Sequence, residues 1–119
     1  MKPPLIYVLD DDDSVRIALD SYIRCLGFNV ETFSSGRQLL ASAHLVEVSC
    51  VISDVQMPAM NGFDVLAALQ QMQPPVPVIL LTAFFEDCLK RKALALGATA
   101  FLSKPFSSAE MLKALEAVL

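Results

Sequence analysis

Five short apolar runs, each followed by a segment of helical periodicity, constrain the fold of this 119-residue chain more than any other feature. Continuous apolar runs of this kind are typical of strands that are buried on both faces of a parallel sheet. Right-handed crossovers then predict one α/β domain, a doubly wound (βα)5 parallel five-stranded sheet. If the second strand lies on one side of the first and the third lies on the other, the strand order is 2-1-3-4-5.

The element boundaries follow from the apolar runs and from cap and turn residues. Strands are predicted over 5–9, 28–33, 48–53, 76–81 and 99–103. Helices are predicted from Ser14 to Gly27, from Ser34 through Ala43, over 63–72, over 86–96, and from Ser107 onward. Ser14 is the expected cap of the first helix, and Ser107 with Glu110 predicts a capping box at the start of the last.

Composition and charge exclude several classes of function. Hydrophobic residues make up 55% of the chain and charged residues 18%, which suits a sheet covered on both faces. The net charge of −4 argues against direct nucleic-acid binding by this domain. The chain has no apolar run of about 20 residues and no signal-peptide pattern, so we expect a cytoplasmic protein that does not enter a membrane. Cys25, Cys50 and Cys88 are widely spaced among apolar residues and indicate reduced packing residues.

The acidic run Asp10-Asp11-Asp12-Asp13 directly follows the first strand. Four adjacent carboxylates repel one another, and they persist most easily where a cation or water compensates their charge. We interpret Asp12 and Asp13 as a solvated flank that adds negative charge at the start of the helix. For Asp10 and Asp11 we predict an oxygen-rich pocket for a hard divalent cation, Mg²⁺ above all, with Mn²⁺ as a substitute.

The predicted topology brings three more polar residues to the same edge of the sheet: Asp54, Thr82 and Lys104. A carboxylate can attack phosphorus, which makes Asp54 the candidate nucleophile. Lys104 can supply a second positive charge, and the Thr82 hydroxyl can donate to a phosphoryl oxygen. The Lys104-Pro105 bond is a candidate for a cis peptide. Each residue alone is most simply a turn, strand or loop residue, and only their shared location favours phosphoryl transfer.

These residues also lie in motifs that resemble the receiver domain of two-component response regulators, with its flavodoxin/CheY-like fold. The motifs are Val8-Leu9-Asp10-Asp11, Asp54-Val55-Gln56-Met57-Pro58 with Asn61-Gly62, Leu81-Thr82-Ala83 and Lys104-Pro105-Phe106. The resemblance covers residues 1–119, essentially the whole chain. Thr32-Phe33-Ser34-Ser35 and Lys104-Pro105-Phe106 point more narrowly to the FixJ/NodW-type regulators. The alternatives are a stand-alone receiver and a domain of a longer regulator, and that likeness favours a longer regulator with a C-terminal DNA-binding output domain.

The resemblance implies a role for each site residue. Asp54 matches the phosphoacceptor, and Thr82 and Lys104 match the phosphoryl-sensing hydroxyl and the charge-neutralising lysine. The implied Mg²⁺ ligands are Asp11, Asp54 and the backbone carbonyl of Gln56, with Asp10 acting through a metal-bound water. Phe101 matches the switch aromatic residue, which turns inward when Thr82 moves toward the phosphate.

The expected function is therefore a signalling switch rather than an enzyme with a separate substrate. A sensor histidine kinase, or a small phosphodonor, phosphorylates Asp54, and the domain also catalyses its own dephosphorylation. Phosphorylation of Asp54 alters the surface formed by the fourth helix, fifth strand and fifth helix. This surface then controls an output domain for transcription or forms a homodimer. Lys90-Arg91-Lys92 on the fourth helix belongs either to that surface or to an ordinary solvated face. In the family that this chain resembles, the side chains two residues after the phosphoacceptor and two after the threonine tune how easily water reaches the acyl phosphate. These are Gln56 and Phe84 here, and the bulky Phe84 predicts slow self-dephosphorylation.

Three alternatives compete with this interpretation. An aspartyl-phosphate phosphatase of the haloacid-dehalogenase type needs a second Asp two residues after the nucleophile, where this chain has Gln56. A flavodoxin-like electron carrier needs a hydroxyl- and glycine-rich phosphate loop after the first strand, where this chain has four aspartates. A pseudo-receiver that serves only for docking is disfavoured because each expected pocket residue is present.

Overall fold

The computed structural model describes residues 3–119, so the first two residues of the predicted domain lie outside the described part of the chain. Within that part, the strands are β1 (Leu5–Leu9), β2 (Asn29–Phe33), β3 (Cys50–Asp54), β4 (Val78–Thr82) and β5 (Ala100–Ser103). The helices are α1 (Asp13–Cys25), α2 (Gly36–Leu40), α3 (Gly62–Gln70), α4 (Asp87–Ala95) and α5 (Ser108–Val118), with a 3-10 turn at Leu45–Glu47. Each strand pairing is parallel and the order is β2-β1-β3-β4-β5, which confirms the predicted fold class.

The sheet is buried on both faces because alternate residues of each strand point to opposite sides. One apolar layer packs against α1 and α5 and comprises Ile6, Val8, Leu19, Ile23, Val30, Cys50, Ile52, Ile79, Leu81, Met111, Ala114 and Leu115. The other lies against α2, α3 and α4 and includes Tyr7, Leu9, Leu39, Val51, Val65, Leu66, Leu69, Leu80, Ala93 and Phe101. Burying one such side chain contributes about 1.5–3 kcal/mol, so the two layers hold the strand ends in fixed positions.

Several element boundaries differ from the sequence prediction, including the end of the third helix, which lies at Gln70 instead of residue 72. The second helix was predicted through Ala43, but α2 ends at Leu40. The chain turns there, and the Ser42 hydroxyl lies 2.7 Å from the Tyr7 hydroxyl, a long-range contact that local periodicity cannot show. The third and fourth strands begin two residues later than predicted and end one residue later. Asp54 and Thr82 are therefore the last residues of β3 and β4.

The start of α1 corrects one predicted cap. Asp12, rather than Ser14, is the N-cap, because its side chain accepts hydrogen bonds from the backbone N–H groups of Ser14 and Val15 at 2.8 and 3.4 Å. A carboxylate satisfies two helix donors and also complements the helix dipole. The capping box predicted for Ser107 and Glu110 is confirmed, with reciprocal hydrogen bonds of 3.0 and 3.1 Å.

The basic run on α4 is exposed, as expected of a solvated helix face. Its third member, Lys92, places its ammonium 4.5 Å from the centre of the Phe63 ring, a cation–π contact between α4 and α3. Among the described residues, none of the helices has the length and apolar character that crossing a bilayer requires.

Candidate functional site

The carboxyl ends of four neighbouring strands bring the predicted polar residues together. Asp10 follows β1, Asp54 ends β3, Thr82 ends β4, and Lys104 follows β5. The Lys104 ammonium lies 2.7 Å from Asp10 Oδ2 and 3.3 Å from Asp54 Oδ2. Asp10, Asp54 and Thr82 are all buried, although the chain connects them only through long segments. The folded sheet therefore forms a compact cluster with carboxylate, hydroxyl and ammonium groups.

Asp10, Asp11 and Asp54 form the acidic part of the site. Each offers a carboxylate oxygen, and these oxygens lie within 4.8 Å of one another. Asp11 is exposed to solvent, whereas the other two residues are buried. Hard oxygen ligands at this spacing are the donor set that Mg²⁺ or another hard divalent cation prefers. The residues present therefore fit a metal site that is open on the Asp11 side.

The pKa of the Asp54 carboxyl reflects both its burial and its charged neighbours. Burial raises the pKa of the Asp54 carboxyl above its ordinary value, the Lys104 ammonium opposes this rise, and the Asp10 carboxylate adds to it. The backbone N–H of Gln56 also donates to Asp54 Oδ1 at 3.3 Å. The pKa is raised overall because burial, together with the Asp10 carboxylate, outweighs the Lys104 ammonium and the hydrogen bonds to Asp54.

Lys104 is bound to the site at both its backbone and its side chain. Its backbone N–H donates to the Thr82 carbonyl at 2.7 Å, which extends the β4–β5 pairing by one residue. Burial alone would lower the pKa of the ammonium, but the hydrogen bond and charge of Asp10, together with Asp54, raise it. The lysine is therefore held in its charged form. The peptide bond between Lys104 and Pro105 is cis, as predicted.

The Thr82 hydroxyl has partners that sequence reasoning did not identify. It accepts a hydrogen bond from the Phe84 backbone N–H at 3.0 Å and donates one to the Gln56 side-chain oxygen, also at 3.0 Å. The resemblance implies a metal-ligand role for the backbone carbonyl of Gln56 and a role in water access for its side chain, but no contact between that side chain and Thr82. No local sequence pattern could have shown this contact.

The aromatic residues near the site differ in exposure. Phe101 on β5 is buried, and its ring lies 5.6 Å from that of Phe85, between centroids. Phe84 has 69% of its surface exposed, although its backbone contacts Thr82. Phe101 is therefore adjacent to the segment that follows β4.

Arg16 is a residue of the site that the sequence did not single out. Its guanidinium donates to the Asp10 carbonyl at 2.5 Å and forms an ion pair with Asp13. The Asp10 carboxylate accepts a further bond from the Asp12 backbone N–H at 2.9 Å. These contacts fix the turn that presents Asp10 and Asp11. The i,i+3 spacing of Asp13 and Arg16 was the available signal, since such pairs share a helix face.

The loop after Asp54 returns closely to the strand it left. The Gly62 N–H donates to the Val55 carbonyl at 2.9 Å, and a Cβ at position 62 would lie 2.4 Å from the Asp54 carbonyl oxygen. Asn61 and Asp64 form a capping box that starts α3 directly afterwards. This close approach requires glycine and fixes the backbone on either side of Asp54.

Comparison with known proteins identifies the class to which this fold and site belong. The sequence pattern of the response regulator receiver domain matches residues 6–116. The chain therefore belongs to the response regulator receiver domain family. The predicted receiver assignment is confirmed, which separates this chain from the phosphatase and flavodoxin alternatives.

Individual relatives agree with this assignment. The response regulator protein TodT of Pseudomonas putida F1 is 38% identical over 115 residues, which cover 97% of this chain and 51% of TodT. The transcriptional regulatory protein FixJ of Bradyrhizobium diazoefficiens is 32% identical over 96% of this chain and 56% of FixJ, consistent with the expected FixJ/NodW-type likeness. The chain spans about half the length of these curated relatives. The solved structure of the Vibrio cholerae chemotaxis protein CheY4 has a TM-score of 0.87 and 34% identity, with 98% of this chain and 99% of CheY4 covered.

Proposed function

We propose that this domain accepts a phosphoryl group on Asp54 and thereby acts as a signalling switch in a two-component system. The observation that carries the proposal is the position of the Asp54 carboxylate, buried beside Asp10 and Asp11 with the Lys104 ammonium 3.3 Å away. Phosphoryl transfer depends chiefly on positioning and on neutralising charge. This pocket provides a nucleophile, a cation and the ligands for a metal.

Each residue has a definite part in the proposed transfer. An Asp54 carboxylate oxygen attacks the phosphorus of a kinase phosphohistidine, and the bond from phosphorus to the imidazole nitrogen breaks with its electron pair leaving on the nitrogen. With a small phosphodonor, a phosphorus–oxygen bond breaks instead. Lys104 neutralises charge on the phosphoryl oxygens. When bound by Asp11, Asp54, the Gln56 carbonyl and, through water, Asp10, Mg²⁺ supplies further charge neutralisation.

The proposed switch follows from the new charge on Asp54. The Thr82 hydroxyl turns to donate to a phosphoryl oxygen, and Phe101 fills the space behind it. The movement of Thr82 and Phe101 shifts the equilibrium between two conformations of the surface formed by α4, β5 and α5. The matched region covers about half of TodT and FixJ, so both relatives have further sequence outside it. We propose that an output domain that controls transcription follows residue 119 here. The proposal includes a sensor histidine kinase as partner, a homodimer on phosphorylation and a cytoplasmic location.

Phosphorylation with a small donor tests the proposal. The purified domain is incubated with acetyl phosphate and Mg²⁺, and its intact mass is measured for the wild type, Asp54→Asn and Asp87→Asn. Asp87 is an exposed carboxylate in the first turn of α4 and serves as the matched control. We expect one added phosphoryl group on the wild type and on Asp87→Asn, and none on Asp54→Asn or when EDTA removes the metal. Labelling that survives Asp54→Asn, or a wild type that gains no mass, would contradict the proposal.

A further inference from the structure

The Thr82 hydroxyl is held between two neighbours in this structure. It accepts from the Phe84 backbone N–H and donates to Gln56 Oε1, both at 3.0 Å. Thr82 has no exposed surface, whereas Gln56 lies at the exposed rim of the site. Among the described residues, the Gln56 side chain is the acceptor that satisfies this buried hydroxyl proton.

A threonine hydroxyl has a single proton and can donate one hydrogen bond at a time. In the proposed function that proton is needed by an oxygen of the phosphoryl group on Asp54. The hydrogen bond from Thr82 to Gln56 and the hydrogen bond from Thr82 to the phosphoryl group therefore exclude each other. Phosphorylation has to break the first to form the second.

We propose that the Gln56 side chain is a positioning residue that holds Thr82 in its resting orientation and so weakens binding of the phosphoryl group. The inference rests on the proposed function, since it assumes that Thr82 turns toward Asp54. It concerns the side-chain amide of Gln56 and is independent of the metal-ligand role implied for its backbone carbonyl. The residue at position 56 then sets the free energy needed to turn Thr82 from its resting orientation to the phosphoryl-bound one.

The size of the effect follows from the hydrogen bond that is removed. Gln56→Met retains the length of the side chain but has no amide oxygen to accept the Thr82 proton. The buried hydroxyl is then left without this acceptor in the resting state only, while the phosphoryl-bound state keeps its partner. We expect a phosphoryl mimic to bind about two- to tenfold more tightly, the range that one neutral hydrogen bond supports at a partly exposed position.

Titration calorimetry with beryllofluoride in the presence of Mg²⁺ measures this effect, because beryllofluoride mimics a phosphoryl group on a carboxylate. The proteins are the wild type, Gln56→Met, Thr82→Ala and the double variant, with Asp54→Asn to show that the probe binds at Asp54. Gln38→Met is the matched control, since the Gln38 side chain likewise accepts a hydrogen bond from a hydroxyl, that of Ser34 at 3.1 Å, but at the start of α2. Affinity for Mg²⁺ alone is measured separately for each variant.

The inference predicts tighter beryllofluoride binding for Gln56→Met when Thr82 is present and no gain in the Thr82→Ala background. It also predicts wild-type beryllofluoride binding for Gln38→Met, and the affinities for Mg²⁺ alone separate a change at the metal ligands from a change at Thr82. Equal or weaker beryllofluoride binding by Gln56→Met, or the same gain with and without Thr82, would overturn the inference and leave the proposed function intact. If the wild type itself binds no beryllofluoride, the proposed function fails and the inference falls with it.

Discussion

Asp54 is a residue whose position suits its chemistry better than it suits the stability of the domain. Its carboxyl is buried next to Asp10, and burial together with that neighbour raises its pKa in the folded state, against the opposing effect of Lys104. A raised folded pKa means that the protonated carboxyl is the form the fold accommodates best. The protonated Asp54 carboxyl contributes favourably to the free energy of unfolding below the unfolded pKa of about 4. This contribution is lost as the pH rises through the folded pKa.

Asp54→Asn is therefore expected to stabilise the metal-free domain at neutral pH, because it removes a buried charge from an acidic cluster. The free energy of unfolding should rise on the order of 1 kcal/mol at pH 7, and the difference from wild type should shrink toward pH 4. Urea denaturation in EDTA at several pH values measures this, with Asp87→Asn as the exposed control. A less stable Asp54→Asn domain at pH 7 would show that the contact with Lys104 outweighs the cost of burial.

The lifetime of the proposed phosphorylated state is a second prediction at the scale of single residues. Phe84 is expected to hinder water from reaching Asp54, so the phosphorylated wild type should decay over much longer than seconds. Phe84→Ala should shorten the lifetime several-fold, because it removes the ring and leaves the backbone N–H that binds Thr82. Intact mass measured over time after removal of acetyl phosphate gives both rates. A wild-type lifetime of seconds, or no change in Phe84→Ala, would count against this role of the ring.

Among the elements, the junction of β3 and α3 depends most strictly on one residue. A Cβ at position 62 would lie 2.4 Å from the Asp54 carbonyl oxygen and 2.9 Å from the Val55 Cα, both backbone atoms that cannot easily move. Gly62→Ala is expected to lower the free energy of unfolding by about 1–3 kcal/mol and to reduce the rate of Asp54 phosphorylation. Chemical denaturation and intact mass measure the two effects.

Gly36→Ala is the matched control for this prediction. A Cβ at position 36 would lie 2.7 Å from Val65 Cγ2 and 2.8 Å from Met60 Sδ, which are side-chain atoms. Met60 has a flexible side chain that can adjust, and alanine also favours helix formation over glycine. The loss of stability should therefore be smaller than for Gly62→Ala, and phosphorylation of Asp54 should be retained. A larger loss for Gly36→Ala would contradict the importance assigned to the backbone contact at Gly62.

The elements were largely predictable from sequence because this fold imposes strong local patterns. Strands that are buried on both faces form continuous apolar runs, and each helix carries a cap or an apolar stripe. The element ends that were wrongly predicted depend on contacts or choices that local sequence patterns do not show. The helix α2 stops early where Ser42 meets Tyr7, and Asp12 rather than Ser14 caps α1 in a run that offers several candidate caps.

At the scale of the whole molecule, the two-layered core separates the cysteines into two classes. Cys50 on β3 has no exposed surface, and burial raises the pKa of its thiol to about 12. Cys25 and Cys88 are exposed, so the prediction of packing cysteines is confirmed for Cys50 and wrong for the other two. Only a thiolate reacts rapidly with a disulfide reagent. We expect two of the three thiols to react quickly with Ellman's reagent in the native state, and the third at the rate of global unfolding. Rapid reaction of all three would show that the sheet is more open than this structure.

The site was predictable only as far as topology brings strand ends together. The order 2-1-3-4-5 was enough to group Asp10, Asp54, Thr82 and Lys104 at one edge, and the receiver motifs pointed to the same residues. The contact between Gln56 and Thr82 was not predictable, because it depends on a side-chain conformation in a loop. The contact of Arg16 with the Asp10 carbonyl likewise depends on how α1 packs against the end of β1.

Chemical trapping identifies the residue that carries the acyl phosphate, which we propose is Asp54. The wild-type domain is phosphorylated with acetyl phosphate and Mg²⁺, reduced with borohydride, which converts an aspartyl phosphate to homoserine, and digested for tandem mass spectrometry. We expect homoserine at position 54 and unmodified aspartate at positions 10 and 11. Homoserine at either of those positions, or phosphate retained on a hydroxyl side chain instead, would contradict the proposal.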